Sequence, residues 1–395
     1  MIATAPEAAT LAYLSQMSPQ ALAKATAYTH GKEWLILGGW VVSMATTWLI
    51  VRSGLLNRVK DGLQKETPRP LLASLLVGLC YFFVSSLLEL PWSIYSDWWF
   101  ETSFGMTSQS LAGWLVDGLK TGWFGLLMGA VFVVLLYGFL RRARDIWWIW
   151  ASGLVVLLLA FVMVVAPVAV LPLLNTYKPA PAGAVRDEVV RLGQATGTPT
   201  DKIFVFDGSK QSNRYTANVN GIGGSARVAM SDVMFKKGAD IAEVRGVVGH
   251  EMGHYVHQHI FLQLGVFSVL SLVLFVLVDR LFPAFVRLFG ARVTGVDDPA
   301  GLPILFAIIG TLSLIALPIT NTISREVESD ADRFSLEHAH EPDGLAKALV
   351  KTADYRAPTP SDLEEFIFYD HPSVGRRVRR AMEWKAAHPD LVGKK

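Results

Sequence analysis

The residues best fitted to do chemistry are His250-Glu251-Met252-Gly253-His254. On a helix of about 3.6 residues per turn, histidines four apart lie one turn apart on one face, so both imidazoles can reach a single metal ion. Glu251 then sits roughly 100° round from His250, close enough to contact a water on the ion without ligating the metal itself. Ligands, a polarised water and a base to take its proton are what metal-assisted hydrolysis requires. A third protein ligand must come from elsewhere in the chain.

The elements that could deliver it are set by hydrophobicity. Of 395 residues, 52% are apolar and 18% charged. Runs nearly free of charge lie near 33 to 52, 71 to 92, 122 to 140, 147 to 172, 259 to 282 and 301 to 323, each around the length of about 20 residues that crosses a bilayer. Flanking Arg, Lys and Trp fit membrane boundaries. The expected fold class is mainly α: a polytopic membrane bundle of about six spans, with the lipid bilayer as a constant partner. A formal net charge of +2 gives no general pull toward nucleic acid, so no such partner is expected. The single cysteine, Cys80, excludes an intramolecular disulfide and a thiolate zinc site. The first apolar run begins only at Trp34 and lacks a signal-like start, so that span is expected to anchor itself. Residues 1 to 30 read as an N-terminal peripheral segment, with Ser18-Pro19 as a helix start. Arg376, Arg377, Arg379 and Arg380 read as a solvated helix face or a headgroup contact.

The chain therefore divides into transmembrane helices one to four (31–175), a soluble catalytic part carrying the zinc helix (176–257), a transmembrane hairpin (258–323) and a C-terminal catalytic part (324–395). Strand-like segments, Lys202 to Phe206 and Ala226 to Met230, precede a helix expected from about Ala239. The hairpin returns the chain to the side it left. At about 1.5 Å per residue, His254 and Glu328 each stand roughly 8 Å from the membrane end of their helices. Facing segments at one level would let a carboxylate complete a His, His, Glu set, with the fourth position left to water. Among Glu326, Glu328, Asp330 and Asp332, the pair Glu328 and Asp332 is four apart and shares a helix face. One can bind the metal while the other orients a histidine from behind. The expected cofactor is one Zn2+ per chain.

An ordered series of motifs resembles the CAAX prenyl protease type of integral-membrane zinc endopeptidase. H-E-x-G-H corresponds to His250 to His254, E-x-x-A-D to Glu328-Ser329-Asp330-Ala331-Asp332, and H-P-x-x-x-x-R to His371-Pro372 and Arg377. Leu90-Pro91-Trp92-Ser93-Ile94-Tyr95 with Phe104-Gly105 resembles the loop that closes that family's membrane chamber, and Pro172-Leu173-Leu174-Asn175 the entry to its soluble domain. The resemblance implies a helix bundle enclosing a chamber and a gluzincin-like α+β protease domain. It implies His250, His254 and Glu328 as zinc ligands, Glu251 as the base and Asp332 behind a ligand, with His371 and Arg377 stabilising the oxyanion. The segment from Asp207 to Gly221 resembles the edge strand along which an extended substrate adds. Here the chain departs from the family pattern, reading Thr216-Ala217-Asn218, so main-chain pairing rather than side-chain contact is the expectation, with Gly221 closing the segment.

The implied substrates are peptides or membrane proteins, lipidated ones included, met in a multi-pass protein of a bacterial inner membrane. Two arguments give opposite orientations. The basic residues Arg58, Lys60, Lys65, Arg69, Arg141, Arg142 and Arg144 would face the cytoplasm and put the zinc domain outside, whereas the family resemblance puts it inside. Competing readings are a quality-control protease of the HtpX kind, with the same site, and a non-enzymatic zinc-binding or transport protein fed by His257 and His259. The candidate ligands flank spans instead of sitting at their midpoints, which favours an enzyme.

Overall fold

The computed structural model describes residues 5–63, 68–165, 170–212, 216–221, 226–235 and 240–393. Its helices are α1 Ala5–Leu14, α2 Pro19–Ser53, α3 Leu55–Gly62, α4 Pro70–Ser93, α5 Phe100–Ser103, α6 Leu111–Arg142, α7 Trp147–Val165 and α8 Leu171–Leu174, followed by α9 Ala184–Thr196 and α10 Ile241–Val256. After these come α11 His259–Phe289, α12 Leu302–Ala339, α13 Pro342–Thr352, α14 Asp362–Phe368 and α15 Val374–Ala387. Four strands, β1 Tyr177–Pro179, β2 Ile203–Phe206, β3 Ala217–Asn220 and β4 Arg227–Ser231, form one sheet in the order β1-β2-β4-β3.

Five helices among the described residues are long and apolar enough to cross a bilayer: α2, the helix running from Pro70 to Ser103, α6, α11 and the helix ending at Ala339. The fourth expected span starts where α7 does, at Trp147; its residues 166–169, like Lys65 and parts of the Asp207–Gly221 segment, lie outside the described residues. Two expectations change. The segment 1–30 does not end before the first span, because α2 is one helix through it: Ser18 caps it by accepting from Ala21 N, and no breaker follows before Gly54, whose φ of 64° ends the helix. The Leu90-Pro91-Trp92-Ser93-Ile94-Tyr95 motif is not a loop. Pro91 lies inside α4, and the chain continues through a π-helical turn, Ile94–Trp99, into α5.

At the end of the bundle away from the sheet, Lys60 donates to the buried Asp298 (2.9 Å) and Arg144 to Asp297 (2.7 Å), tying the basic loops to the α11–α12 hairpin turn. At the other end, α12 leaves the bundle and continues into the catalytic part as one 38-residue helix. There α10 is its main neighbour, and α10 presents three faces. Val244, Val248 and Met252 are buried with Val228 and Met230 of the sheet. Gly246, Gly249 and Gly253 lie against α12 and α13. The histidines and Glu251 take the third face.

The glycine face sets the spacing between helices. A Cβ on Gly246 would meet Leu345 backbone N at 2.7 Å, and one on Gly253 would meet Ala331 Cα at 3.1 Å and O at 3.2 Å. These obstacles are backbone atoms, which move only if a helix moves. Opposite them Ala331 is itself small and fully buried. Arg245 fastens the remaining neighbours, donating to Glu188 of α9 (2.7 Å) and to Glu341 at the head of α13 (2.7 Å). Gly253→Ala is expected to push α10 and α12 apart, with an apparent stability loss of about 1–3 kcal/mol and weaker metal retention. Thermal unfolding and metal content of the detergent-purified variant check this, and parental values for both would refute the spacing role.

Candidate metal centre and active site

Three electron-pair donors converge between α10 and α12. His250 Nε2 and His254 Nε2 are 3.1 Å apart, and Glu328 lies 3.2 Å from the first and 3.5 Å from the second. Helical periodicity aligns the two imidazoles, and the Gly253–Ala331 approach brings the carboxylate within reach. Hydrogen bonding on the far sides of the rings sets what they offer. His250 Nδ1 lies 2.9 Å from Asp332 Oδ1; a carboxylate only accepts, so Nδ1 carries the proton and Nε2 of the neutral ring holds a lone pair. Glu328 Oε2 is buried and makes no hydrogen bond of acceptable geometry, although His250 and His371 are both near. Lone pairs facing one another around an unpartnered buried carboxylate oxygen fit a bound cation, and two nitrogens with one oxygen are a zinc-type donor set.

The electrostatics agree. Burial disfavours charge on His250, but Asp332 and Glu328 outweigh it and lift that imidazole to about 10, so without a metal ion the anionic cage draws a second proton to Nε2, which a bound cation would displace. His254 moves the other way, to about 3, through burial and then the neighbouring His250, which leaves the ring neutral with a lone pair to offer. Burial, with Glu328 adding to it, pushes the Glu251 carboxyl up to about 7, near where a general base works best.

Asp332 is 3% exposed and is gripped by Arg377, whose Nε and Nη2 donate to its two oxygens at 2.7 and 2.6 Å. This ion pair holds the guanidinium well above its ordinary range, against burial. Arg377 thus departs from the solvated face expected of the arginine cluster, because α15 buries Val374, Val378 and Ala381 and turns Arg377 inward with them. Its short bonds go to Asp332, with Nη2 also 3.4 Å from His250 Nδ1, so it acts on His250 chiefly through that carboxylate, while also lining the cavity beside the donors. His371 places Nε2 3.3 Å from Glu328 and is held from behind by Asp370, 2.9 Å from Nδ1.

The cavity encloses about 260 Å³ and brings together Glu251, Glu328, His371 and Arg377 with Thr216 and Ala217. Its apolar wall comes from Val247, Leu345 and Leu349. β3 is the edge strand of the sheet, and the pairing of Thr216 O with Ser231 N turns alternate residues, Ala217 among them, outward. Asn218 points its main chain back to β4, opposite Ala229, and Gly221, with φ 105°, ends the strand. The α13 wall was missed by sequence reasoning; the amphipathic Leu345, Ala348, Leu349 spacing was the available signal. Asp370 was missed too, and nothing in its local sequence marks it.

Arg377→Ala leaves the buried Asp332 carboxylate without its counter-charge, a change that costs about 3–5 kcal/mol when a buried pair is broken. The expected outcome is a lower unfolding temperature together with weaker metal binding. An unchanged melting curve would show that the pair is not structural.

Residues 179–385 match the model of peptidase family M48, and residues 5–176 match a model described as the CAAX prenyl protease N-terminal region, five membrane helices. The chain is 28% identical over 378 residues to the uncharacterized metalloprotease YhfN of Bacillus subtilis, covering 93% of this chain and 87% of that protein. It is 27% identical to CAAX prenyl protease 1 of Saccharomyces cerevisiae, covering 75% and 69% respectively. The crystal structure of Ste24p from S. mikatae superposes with a TM-score of 0.75 at 20% identity, covering 93% of this chain and 89% of that one, which shows a shared fold. These matches favour the CAAX prenyl protease reading over the HtpX-like and transport readings. A family model covering more than half of the chain, on a helix bundle with this site, makes the protein an integral-membrane metalloendopeptidase of peptidase family M48.

Proposed function

We propose that the protein is a zinc endopeptidase holding one Zn2+ per chain on His250 Nε2, His254 Nε2 and Glu328, and that it cleaves extended peptides and membrane-protein segments, lipidated ones included. The observation that carries this reading is the convergence of three lone-pair donors on one cavity beside Glu251. Zinc, when bound, supplies a Lewis acid and brings the pKa of water toward about 7. Glu251 takes the proton of the attacking water and returns it to the leaving amine. His371 Nε2, on the cavity wall, donates to the oxyanion developing on the scissile carbonyl, and Arg377 adds positive charge there while it fixes Asp332. Asp332 holds His250 in the tautomer that ligates.

Substrate enters by pairing along the β3 edge from Thr216 to Asn218, with the outward main chain of Ala217 exchanging the hydrogen bonds. Relatives named CAAX prenyl proteases support prenylated peptides as one substrate class. The multi-pass helix bundle, with a relative from Bacillus subtilis, supports location in the inner membrane of a bacterial host. The basic loops near Lys60 and Arg144 lie at the end opposite the zinc ligands, so the side of the catalytic part is read by whether a reporter fused to the C-terminus is active inside or outside.

Glu251→Gln is expected to retain zinc and lose cleavage by a factor of about 10² or more, whereas His254→Ala loses both. Zinc content and peptide-cleavage rate, measured on the same preparations, decide it; residual full cleavage in the glutamine variant rejects Glu251 as the base. For the strand, substrates N-methylated at successive backbone nitrogens should lose about tenfold in kcat/KM at alternate positions, the worth of one hydrogen bond. A flat profile would reject edge-strand pairing.

A further inference from the structure

We propose that His259 is a positioning residue for the zinc ligand His254, acting as the proton acceptor of a relay that ends on Asp330; the proposal rests on the zinc site described above. His254 Nδ1 lies 2.9 Å from His259 Nδ1, and His259 Nε2 lies 3.1 Å from Asp330 Oδ2. The direction of the relay follows from its far end. Arg333 donates to Asp330 Oδ1 at 2.6 Å, and a carboxylate has only lone pairs to offer, so His259 Nε2 must carry its proton. A neutral imidazole has one N–H. His259 Nδ1 is then the lone-pair nitrogen, and His254 Nδ1 must donate to it. His254 Nε2 is left with its lone pair aimed at His250 Nε2 and Glu328, the state in which a histidine can ligate.

His250 receives the same setting from Asp332, itself held by Arg377. The two ligands are thus each backed by a carboxylate that an arginine holds, directly for His250 and through His259 for His254. Chain geometry makes the second relay possible. On a continuous helix His259 would sit about 140° round from His254. Gln258, a non-glycine residue in the left-handed region at φ 52°, breaks α10 from α11 and swings the buried His259 ring back beneath His254.

His257, His259 and Asp330 also place ligating atoms within 4.8 Å of one another. They differ from the zinc donors in kind. His257 Nδ1 and His259 Nε2 both point at one Asp330 oxygen, so N–H donors meet an acceptor and the charge is balanced by Arg333. At the catalytic centre, lone pairs meet lone pairs. The outer cluster is therefore complete without an ion.

The test uses the full chain in detergent, stripped of metal and titrated with zinc against a competing chelator dye, with zinc per chain counted by elemental analysis. His259→Ala should weaken zinc binding about 10–100-fold. His259→Asn, whose amide oxygen can stand near the place of ring Nδ1 and accept from His254, should recover part of that loss. His257→Ala, which removes a partner of Asp330 but none of His254, should bind zinc like the parent. Parental affinity in His259→Ala overturns the proposal, as does an equal loss in the Ala and Asn variants. Two zinc ions per parent chain, with one lost in His257→Ala, would instead make the outer cluster a metal site. A parent that binds no zinc refutes the zinc-peptidase reading as well, whereas a parent that binds one zinc and cleaves, beside an unaffected His259→Ala, refutes the relay alone.

Discussion

Two imidazole nitrogens and a carboxylate oxygen that face one another repel unless a positive charge, a proton or a metal ion, lies among them. At 3.1 Å, His250 Nε2 and His254 Nε2 form such an arrangement with Glu328, and the fold is built to keep it. The protein contributes rigidity: a glycine face on α10 that α12 and α13 approach to backbone contact, an arginine that binds α9 and the head of α13 to α10, and an ion pair from α15 that locks Asp332. Each of these fixes a helix or a ring orientation, and each is buried, where misplacement is costly.

The membrane bundle and the catalytic part are joined by continuous helices. α12 carries Glu328 and Asp332 on the same rod that crosses the bundle, and α2 extends beyond its span to meet the C-terminal segment, where Thr29 accepts from Ala357 N. The level of the carboxylates relative to the bundle is thereby set by helix rise alone. A loop at either junction would leave that level to packing. The Gln258 turn is the exception: chain direction changes there within one residue, at the cost of an unfavourable backbone region of about 1–2 kcal/mol, and this turn brings His259 under His254.

The cavity combines unlike walls. Glu251, His371 and Arg377 line it together with the apolar Val247, Leu345 and Leu349, and Thr216 and Ala217 of the edge-strand segment complete the lining. The proposed chemistry falls where charge is concentrated, and the proposed strand addition would hold an extended chain by main-chain pairing that reads no particular side chain.

Local pattern in the chain was enough for everything with a short period or a compositional mark. The apolar runs announce the helices that cross, the four-residue spacing aligns His250 with His254 and Glu328 with Asp332, and Ser18-Pro19 marks a helix start. Expectation and structure part at two places: residues 90–95, expected as a loop from the resemblance, stay helical through a π turn, and an arginine cluster that looked solvated hides Arg377, because one face of α15 is buried. What pairs across sequence distance had no local trace. The grip of Arg377 on Asp332 and the approach of Glu328 to the two histidines depend on where separate helices cross. The residues themselves settled which groups could bind a cation and take a proton; tertiary packing alone decided which nitrogen of each histidine was left free to do so, because a tautomer is chosen by the partner behind the ring and that partner lies as many as 82 residues away, as Asp332 does from His250.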